Sequence, residues 1–272
     1  MNQPKGYAVK VNGKVVVVTG AGSGMGRQLT VELVQKGAKV AAVDFRAETL
    51  EETKKLAGGT VEAFVLDVTD AAGVAALPAQ IQAKLGPVDG LINNAGIIQP
   101  FVHVKDLTME QANKVMAVNF TGPLMMVKAF LPGLLSRPEA HILNVSSMGA
   151  YAPVPGQSVY GASKAAVKLL TEGLRSELMD TKVGVTVVFP GAINTNISVN
   201  SGMAMPANSD AAASKFKTTE APVAAAKMIE AIEQNKPRIT IGSDATMMDR
   251  LSRLNPVMAA NVIYKQMKSL LG

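Results

Sequence analysis

The sequence predicts an α/β fold in which helices cover both faces of a doubly wound, parallel sheet of seven strands. Short runs rich in Val, Ile and Ala alternate with segments long enough to be crossover helices. These runs are continuously apolar rather than alternating, which is typical of strands buried on both faces. No linker or repeat interrupts the 272 residues, so we expect one large domain over residues 1–272.

The predicted elements follow one another in βα alternation. The predicted strands are the apolar runs at residues 14–19, 39–43, 61–66, 88–93, 141–146, 183–189 and 238–241. The predicted crossover helices are the longer segments at residues 25–36, 48–56, 71–85, 108–135 and 158–180. A further helix is expected to begin near Thr219. Ligands of such a sheet collect at the carboxyl ends of its strands, where we expect the functional site.

Two segments depart from this alternation. Residues 196–218 carry Ser, Asn, Ala and Met without clean periodicity, and a loop of that length is usually a functional lid. We interpret it as a substrate lid; the alternative is a surface insertion. Residues 243–272 predict a tail of one or two amphipathic helices, with apolar positions Met247, Met248, Leu251, Leu254, Met258 and Ile263. This tail could close the pocket, pack on a neighbouring subunit or touch a membrane surface.

Composition excludes several kinds of site. The chain has no cysteine, and its two histidines, His103 and His141, lie far apart, so we expect no metal site. Lys and Arg exceed Asp and Glu by 27 to 21, but the basic residues are scattered and aromatic residues make up 4%, so no nucleic-acid partner is expected. We find no apolar signal core and no apolar run near the ~20 residues of a transmembrane segment. We therefore expect a cytoplasmic protein.

A glycine-rich turn directly follows the first predicted strand and precedes a helix with apolar Leu29, Leu33 and Val34. Glycines let the backbone turn sharply and approach a pyrophosphate, while a helix amino terminus offers free N–H donors. The strand before it and the helix after it are the context that a dinucleotide-binding turn requires. The predicted cofactor contacts in this turn are Gly20, Ser23, Gly24, Met25 and Gly26.

Asp44 ends the second predicted strand, about 20 residues beyond the glycine turn. A carboxylate there would accept hydrogen bonds from the adenosine ribose and repel a 2′-phosphate, which favours NAD over NADP. Two observations compete with this interpretation. Asp44 could instead cap the next helix, and Arg46 nearby could partly neutralise its charge.

The third and fourth predicted strands end in polar or small residues at the same edge of the sheet. Asp67 and Val68 follow the third strand, and Asp67 could accept from the adenine amino group. Asn93 ends the fourth strand, where the small residues Ala95 and Gly96 leave room for a ribose. Without the glycine turn, both stretches would be interpreted as turns alone.

Tyr160 and Lys164 are four residues apart and so share one face of a predicted helix. An unperturbed phenol titrates near ~10, and a nearby cation favours the phenolate. Lowering that pKa by roughly 3 units would need about 4 kcal/mol, much of which one lysine at contact distance could supply. The pair therefore predicts a tyrosine that acts as a general base. Taken alone, such a pair is far more often an amphipathic helix residue beside a solvated lysine.

Together these patterns resemble the short-chain dehydrogenase/reductase family. The resemblance runs from residue 19 to residue 195 and consists of T-G-x-x-x-G-x-G, N-N-A-G, N-V-S-S, Y-x-x-x-K and P-G-x-I-x-T, in the family's order. It implies a seven-stranded Rossmann-type domain that binds NAD(P) and a homodimer or homotetramer. Long predicted helices with apolar faces could pair across a two-fold axis.

The resemblance also implies a catalytic tetrad of Asn119, Ser147, Tyr160 and Lys164. In these roles Tyr160 takes the proton and Ser147 holds the substrate oxygen, with Ser146 as its structural neighbour. Lys164 lowers the tyrosine pKa and, with Tyr160, contacts the cofactor at its nicotinamide ribose. Asn119 kinks its helix and positions a water in a proton relay; as a lone residue in a helix it would instead be an exposed polar side chain.

The resemblance places the nicotinamide end of the cofactor against the run from Pro190 to Thr195. Thr195 would fix the carboxamide together with the backbone at Ile193, whereas Pro190 with its glycine is otherwise only a turn signal. The predicted substrate is an apolar secondary alcohol or ketone, because the stretch around Met148 and Tyr151 and the lid residues Met203 and Met205 are apolar.

The predicted function is hydride transfer between a nicotinamide cofactor, NAD in preference to NADP, and that alcohol or ketone. Two alternatives stay open. One is a ketone reductase that prefers NADPH, which differs only near Asp44. The other is a non-catalytic, dinucleotide-binding redox sensor, which would be free to lose Tyr160, Lys164 or Ser147, although all three are present.

Overall fold

A computed structural model describes residues 10–195, 197–201 and 218–271. Its strands are β1 (Val15–Thr19), β2 (Lys39–Asp44), β3 (Val61–Val65), β4 (Gly90–Asn93), β5 (Ala140–Val145), β6 (Val183–Pro190), β7 (Ile193–Asn194), β8 (Thr219–Glu220) and β9 (Arg238–Ile241). Seven of them form one sheet in the order β3-β2-β1-β4-β5-β6-β9, and every neighbouring pair is parallel. The predicted fold class is confirmed.

The helices pack on both faces of this sheet. They are α1 (Gly24–Gln35), α2 (Ala47–Ala57), α3 (Ala71–Leu85), α4 (Met109–Met116), α5 (Gly122–Leu135), α6 (Ser158–Glu177), α7 (Ile197–Asn200), α8 (Ala221–Glu233), α9 (Ser243–Leu254) and α10 (Pro256–Met267). The side chains of β1 alternate between the faces, with Val16 and Val18 toward α1 and α8, and Val15 and Val17 toward α3 and α5. Both faces are therefore buried, which explains the continuous apolar runs.

The predicted helix at residues 108–135 is interrupted. A π-helical turn, Ala117–Thr121, separates α4 from α5, and the buried Asn119 lies within it. Such turns are frequent at functional sites, and the Asn119 side chain within this one bonds to the backbone of Ile97. Residues 109–135 as a whole are long and apolar enough to cross a membrane by length and composition alone. In this fold Met126 and Phe130 are buried against the sheet.

The segment predicted as a lid is described only at its two ends. Residues 197–201 and residue 218 are described, and Met203 and Met205 lie outside the described residues. The short parallel pair β7 and β8 flanks the segment, and Thr219 N–H donates to the Ala192 carbonyl at 2.9 Å. Strands of two residues leave no periodic signal in a sequence, so this pairing was not predicted.

The carboxyl-terminal helices α9 and α10 pack on the loop that follows β5. Met148 and Ala152 of that loop form a buried cluster with Ala245, Met248, Ala259 and Ile263. The Tyr151 hydroxyl donates to the Ala245 carbonyl at 2.9 Å and fixes the same contact. The tail therefore stabilises the loop that begins at Ser147.

Replacement of Gly26 tests how closely α1 approaches the glycine turn. A Cβ on Gly26 would overlap the Gly20 carbonyl oxygen, so we expect Gly26→Ala to lower the free energy of unfolding by about 1–3 kcal/mol. The matched control is Gly173→Ala, because Gly173 is an exposed residue within α6 and a Cβ there meets nothing within 4 Å. Gly173→Ala is expected to raise the free energy of unfolding by about 0.5–1 kcal/mol. Urea unfolding of both variants measures the difference, and equal stability would contradict the close approach.

Candidate active site

A cavity of about 620 Å³ lies at the carboxyl ends of β1, β2, β3 and β4. Its volume falls within the ~300–1,000 Å³ of small-molecule and cofactor sites. The strand order reverses between β1 and β4, and parallel sheets bind ligands at that point. The predicted cofactor residues that line the cavity are Gly20, Ser23, Gly24, Met25, Asp44, Asp67, Val68, Ala95, Gly96 and Thr195.

The glycine turn requires backbone conformations that glycine adopts readily. Gly20 and Gly24 have φ values of 67° and 51°, in the left-handed region. A Cβ on Gly20 would lie 3.0 Å from the Cα of Ala95, so the turn packs directly on the loop after β4. The Thr19 hydroxyl accepts from the backbone N–H groups of Asn94 and Ala95, both at 3.0 Å, and holds the two segments together.

The amino terminus of α1 is open to the cavity. Ser23 is its N-cap residue but makes no side-chain capping hydrogen bond, and the first turn carries no acidic residue. The first N–H groups of a helix lack partners within the helix and favour an anion. Ser23, Gly24 and Met25 line the cavity at this point. The arrangement suits a phosphate group.

Several predicted contacts do not line the cavity. Gly26 packs against the Gly20 carbonyl and Asn94, which explains why no larger residue fits there. Asn93 is buried and donates to Oδ1 of Asn144 at 2.8 Å. These two residues support the turn and the end of β4 rather than face the cavity. The other predicted cofactor residues outside its lining are Tyr160, Lys164, Pro190 and Ile193.

Asp44 and Arg46 stand together at the end of β2. The buried Asp44 carboxylate accepts from the backbone N–H of Gly22 at 3.0 Å and of Arg46 at 3.2 Å. Helix α2 begins at Ala47 with Arg46 as its N-cap, so the alternative that Asp44 caps this helix is wrong. The Nε of Arg46 is buried, has no hydrogen-bond partner and lies 3.7 Å from Oδ1 of Asp44. The guanidinium therefore partly neutralises the carboxylate.

Residues after β7 reach back across this end of the cavity. Nη1 of Arg46 donates to Oδ1 of Asn200 at 3.0 Å, and Nδ2 of Asn200 donates to the Ser23 hydroxyl at 2.9 Å. Ile98 N–H donates to the hydroxyl of Ser201 at 3.1 Å. These contacts join the described start of the 196–218 segment to both sides of the cavity. Sequence reasoning missed them because they link residues more than one hundred positions apart.

Helix α4 and the π-helical turn supply further cavity residues that the sequence analysis did not identify. They are Gln111, Lys114, Val115 and Val118, whose spacing places them on one helix face. That spacing was visible in the sequence, but it equally predicts a face packed into the core. Asn94 was also missed as a cavity residue, although it stands within the N-N-A-G run.

Asn119 joins the π-helical turn to the loop after β4. Its side chain is buried, accepts from Ile97 N–H at 2.9 Å and donates to the Ile97 carbonyl at 2.9 Å. It also donates to the Ser163 hydroxyl of α6 at 3.1 Å. The interpretation of Asn119 as an exposed polar residue is therefore wrong. Its predicted proton relay through a water stays a prediction.

Ser147 and Tyr160 meet beside Gly149. The Ser147 hydroxyl accepts from Gly149 N–H at 3.0 Å. A Cβ on Gly149 would lie 3.3 Å from Cε1 of Tyr160 and 3.5 Å from Oγ of Ser147. The neighbouring Ser146 donates to the Lys164 carbonyl at 2.7 Å, so it fixes α6 to β5.

Lys164 is buried between Tyr160 and the loop after β4. Its Nζ donates to the Val145 carbonyl at 3.1 Å and lies 5.9 Å from the centroid of the Tyr160 ring. A Cβ on Gly96 would lie 3.1 Å from this Nζ and 3.3 Å from Oδ1 of Asn119. Gly96 lines the cavity, so Lys164 and Asn119 stand directly behind its wall.

Burial sets the titration of the two central groups. It raises the pKa of Tyr160 above its usual value, and the neighbouring Ser147 hydroxyl opposes this only in part. Burial also lowers the pKa of Lys164 to about 8. Burial is thus the larger influence on the Tyr160 pKa in the protein alone, and the lowering of that pKa by Lys164 stays a prediction. At neutral pH the phenol is neutral and the lysine is charged.

The described residues fit a nicotinamide dinucleotide. The open amino terminus of α1 suits a pyrophosphate, and Gly96 leaves space beside the Lys164 ammonium that a side chain would fill. Oδ1 of Asn94 and Nε of Arg46 are buried without hydrogen-bond partners, and both residues line the cavity. Because buried polar atoms are normally hydrogen-bonded, a bound ligand could supply these partners.

Comparison with known proteins agrees with this arrangement. The sequence profile of the family described as short chain dehydrogenase matches residues 14–206. A Mycobacterium tuberculosis protein named as an oxidoreductase, SadH, is 36% identical over 251 residues, which are 89% of this chain and 91% of the relative.

Two solved structures share the fold over nearly their whole length. A short-chain dehydrogenase/reductase from Burkholderia phymatum in complex with NAD has a TM-score of 0.83 at 28% identity, covering 93% of this chain and 97% of that one. A short-chain dehydrogenase from Burkholderia cenocepacia in complex with NADP has a TM-score of 0.78 at 30% identity, covering 94% and 99%. With the matched profile, these likenesses show that the chain belongs to the short-chain dehydrogenase/reductase family of nicotinamide-dependent oxidoreductases.

Proposed function

We propose that this protein transfers a hydride between a nicotinamide dinucleotide, NAD in preference to NADP, and a secondary alcohol or ketone with apolar substituents. The observation that carries the proposal is that Ser147 and Tyr160 both lie against Gly149, with the Lys164 Nζ 5.9 Å from the centroid of the tyrosine ring and directly behind the cavity wall. When the substrate carbon gains or loses a hydride, the oxygen bonded to it must gain or lose a proton. A phenol can transfer that proton, and a hydroxyl beside the phenol can hold the oxygen by a hydrogen bond.

The phenol of Tyr160 moves the proton. In ketone reduction the neutral phenol donates its proton to the carbonyl oxygen while Ser147 holds that oxygen by a hydrogen bond. The raised pKa keeps the phenol protonated at neutral pH and so favours this direction. In alcohol oxidation the same oxygen returns its proton to the phenolate. The nicotinamide, when bound, supplies or accepts the hydride.

Lys164 and Asn119 support this pair from behind the cavity wall. Lys164 carries a positive charge below about pH 8 and would donate a hydrogen bond to the nicotinamide ribose next to Gly96. Asn119 is fixed to both backbone groups of Ile97 and to Ser163, so it holds α6 at a set distance from the loop after β4. We propose that the proton reaches solvent along this side of the site, through a water held near Asn119.

The preference for NAD rests on Asp44. Its carboxylate lines the cavity at the end of β2, where it would accept from the adenosine ribose and repel a 2′-phosphate. One observation favours the alternative, a reductase that uses NADPH. Arg46 lines the same end of the cavity and carries a buried, unpartnered Nε. The structural relatives bind NAD in one case and NADP in the other.

The apolar substrate is supported by the cavity wall on the side of α4. Ile97, Ile98, Pro100, Val115 and Val118 line this part of the cavity. Met148 and Tyr151, which the sequence analysis assigned to the pocket, instead pack against α9 and α10. The apolar character of the site therefore comes from other residues than those predicted.

The assembly and location are proposals as well. We propose a homodimer or homotetramer in the cytoplasm, formed through the long helices α5 and α6. The exposed Leu135 of α5 and Leu169 of α6 support this proposal, because large apolar side chains on long helices often lie in subunit contacts. The 196–218 segment is proposed as the lid of the substrate site, since its described start bonds to both sides of the cavity.

Tyr160→Phe removes only the hydroxyl that transfers the proton. We expect kcat with the best alcohol or ketone to fall by at least about a hundredfold, while the dissociation constant for NADH changes little. Activity is followed by NADH absorbance across a panel of secondary alcohols and ketones, and binding by NADH fluorescence. Wild-type turnover retained in Tyr160→Phe would remove Tyr160 from this role. Absence of turnover in the wild type with every substrate, despite tight NADH binding, would contradict the proposed function.

The raised pKa of Tyr160 predicts opposite pH dependences in the two directions. Oxidation needs the phenolate, so its kcat/KM is expected to rise by about tenfold per unit from about pH 6 to about pH 7, where Lys164 keeps its charge. Reduction needs the neutral phenol, which is abundant throughout this range, so its kcat/KM stays nearly constant. Initial rates in both directions test this, and an oxidation rate that does not change with pH would contradict it.

Asp44→Asn tests the preference for NAD. The asparagine keeps an oxygen for Gly22 N–H but removes the charge that repels a 2′-phosphate. We expect the ratio of the NADP and NAD dissociation constants to shift by about tenfold toward NADP, which corresponds to about 1.4 kcal/mol. The control is Glu48→Gln, which removes one charge from the first turn of the neighbouring helix α2. A wild type that binds NADP more tightly than NAD would refute the preference.

A further inference from the structure

A buried glutamine from outside α6 caps the helix that carries Tyr160. Oε1 of Gln99 accepts from the backbone N–H groups of Val159 at 2.8 Å and Tyr160 at 2.9 Å. Its Nε2 donates to the Gly156 carbonyl at 2.8 Å, and its own backbone carbonyl accepts from Nε2 of Gln157 at 2.7 Å. Gln99 is completely buried, so none of these bonds competes with water.

The helix has no local substitute for this cap. The N-cap residue of α6 is Gln157, which makes no side-chain capping hydrogen bond, and the first turn contains no acidic residue. The first N–H groups of a helix lack intrahelical partners, and a Ser, Thr, Asp or Asn at the N-cap normally satisfies one of them. Here the acceptor comes from a residue 60 positions before Val159 in the chain. Tyr160 is the third residue of the helix, where an uncapped end frays most readily.

We propose that Gln99 is a positioning residue for Tyr160. It fixes the first turn of α6, and with it the tyrosine backbone, to the loop after β4 that lines the cavity. This inference rests on the proposed function, in which Tyr160 transfers the proton.

Residues 97–99 connect the two sides of the site. Asn119 bonds to both backbone groups of Ile97, and Gln99 bonds to the start of α6. Ile97 also lines the cavity, so residues 97–99 set the position of Tyr160 relative to a ligand bound there. Ser147 belongs to a different segment, the end of β5 and the turn after it. A shift of the first turn of α6 would therefore separate Tyr160 from Ser147, and misplacement by about 1 Å can cost about a hundredfold in rate.

Gln99→Met tests the proposal because methionine has a similar length and no hydrogen-bonding amide. We expect kcat to fall by about tenfold to a hundredfold, whereas the dissociation constant for NADH stays within about threefold. Gln99→Glu keeps an oxygen acceptor for the two N–H groups and is expected to retain more of kcat than Gln99→Met. Amide hydrogen exchange at Val159 and Tyr160 is expected to be slow in the wild type and to accelerate in Gln99→Met more than elsewhere in α6.

The matched control is Thr171→Val in the same helix. Thr171 is buried and accepts from Nδ2 of Asn144 at 3.0 Å, about three turns beyond Tyr160, so its loss also leaves a buried polar group without a partner. We expect this variant to lose stability, with kcat within about twofold of the wild type. Urea unfolding of all three variants compares their stabilities.

Three results would overturn the proposal. They are a wild-type kcat in Gln99→Met, unchanged amide exchange at Val159 and Tyr160 in that variant, and an equal loss of kcat in Thr171→Val at equal loss of stability. If Gln99→Met does not fold, fast amide exchange at Val159 and Tyr160 in the wild type would overturn it. Failure of the proposed function is a separate result. If the wild type shows no turnover, amide exchange at Val159 and Tyr160 can still be measured and still tests the cap.

Discussion

Burial of both faces of the parallel sheet is the constraint from which the rest of this structure follows. The central strands are therefore largely apolar, and the polar residues that line the cavity lie at the strand ends and in the loops after them. The parallel connections bring those ends to one edge, and the reversal of strand order between β1 and β4 opens the cavity there. The glycine turn, Asp44, Asp67 and the loop after β4 all reach the cavity for this reason.

The side of the site where we propose that catalysis takes place is held by buried polar contacts rather than by charge. Asn119 pairs with the backbone of Ile97, Gln99 caps α6 and Ser146 bonds to the Lys164 carbonyl. In such surroundings desolvation decides the titration, which is why the pKa of Tyr160 rises and that of Lys164 falls. A neutral phenol beside a hydroxyl is well suited to donate a proton, which agrees with the proposed reduction of a ketone.

The parts of the site that were correctly predicted are those whose signals are local. The turn from Gly20 to Gly26 is recognisable in the sequence by its glycines between a strand and a helix. Ten of the predicted cofactor residues line the cavity. Gln99 gave no signal, because its partners lie about 60 residues away and a single glutamine has many possible roles. The π-helical conformation around Asn119 was not predicted for the same reason, because Asn119 contacts Ile97 only when the helix packs on the loop after β4.

The sequence by itself determined the fold class, the order of the seven strands along the chain and the residue types available for chemistry, because apolar runs, glycine turns and short spacings act over a few residues. Only the tertiary structure decided which of those residues face the cavity, that Met148 and Tyr151 pack against the tail instead of lining the pocket, and that burial raises the pKa of the Tyr160 phenol. These outcomes depend on burial and on partners distant in the chain, and both exist only when the sheet and its helices have packed.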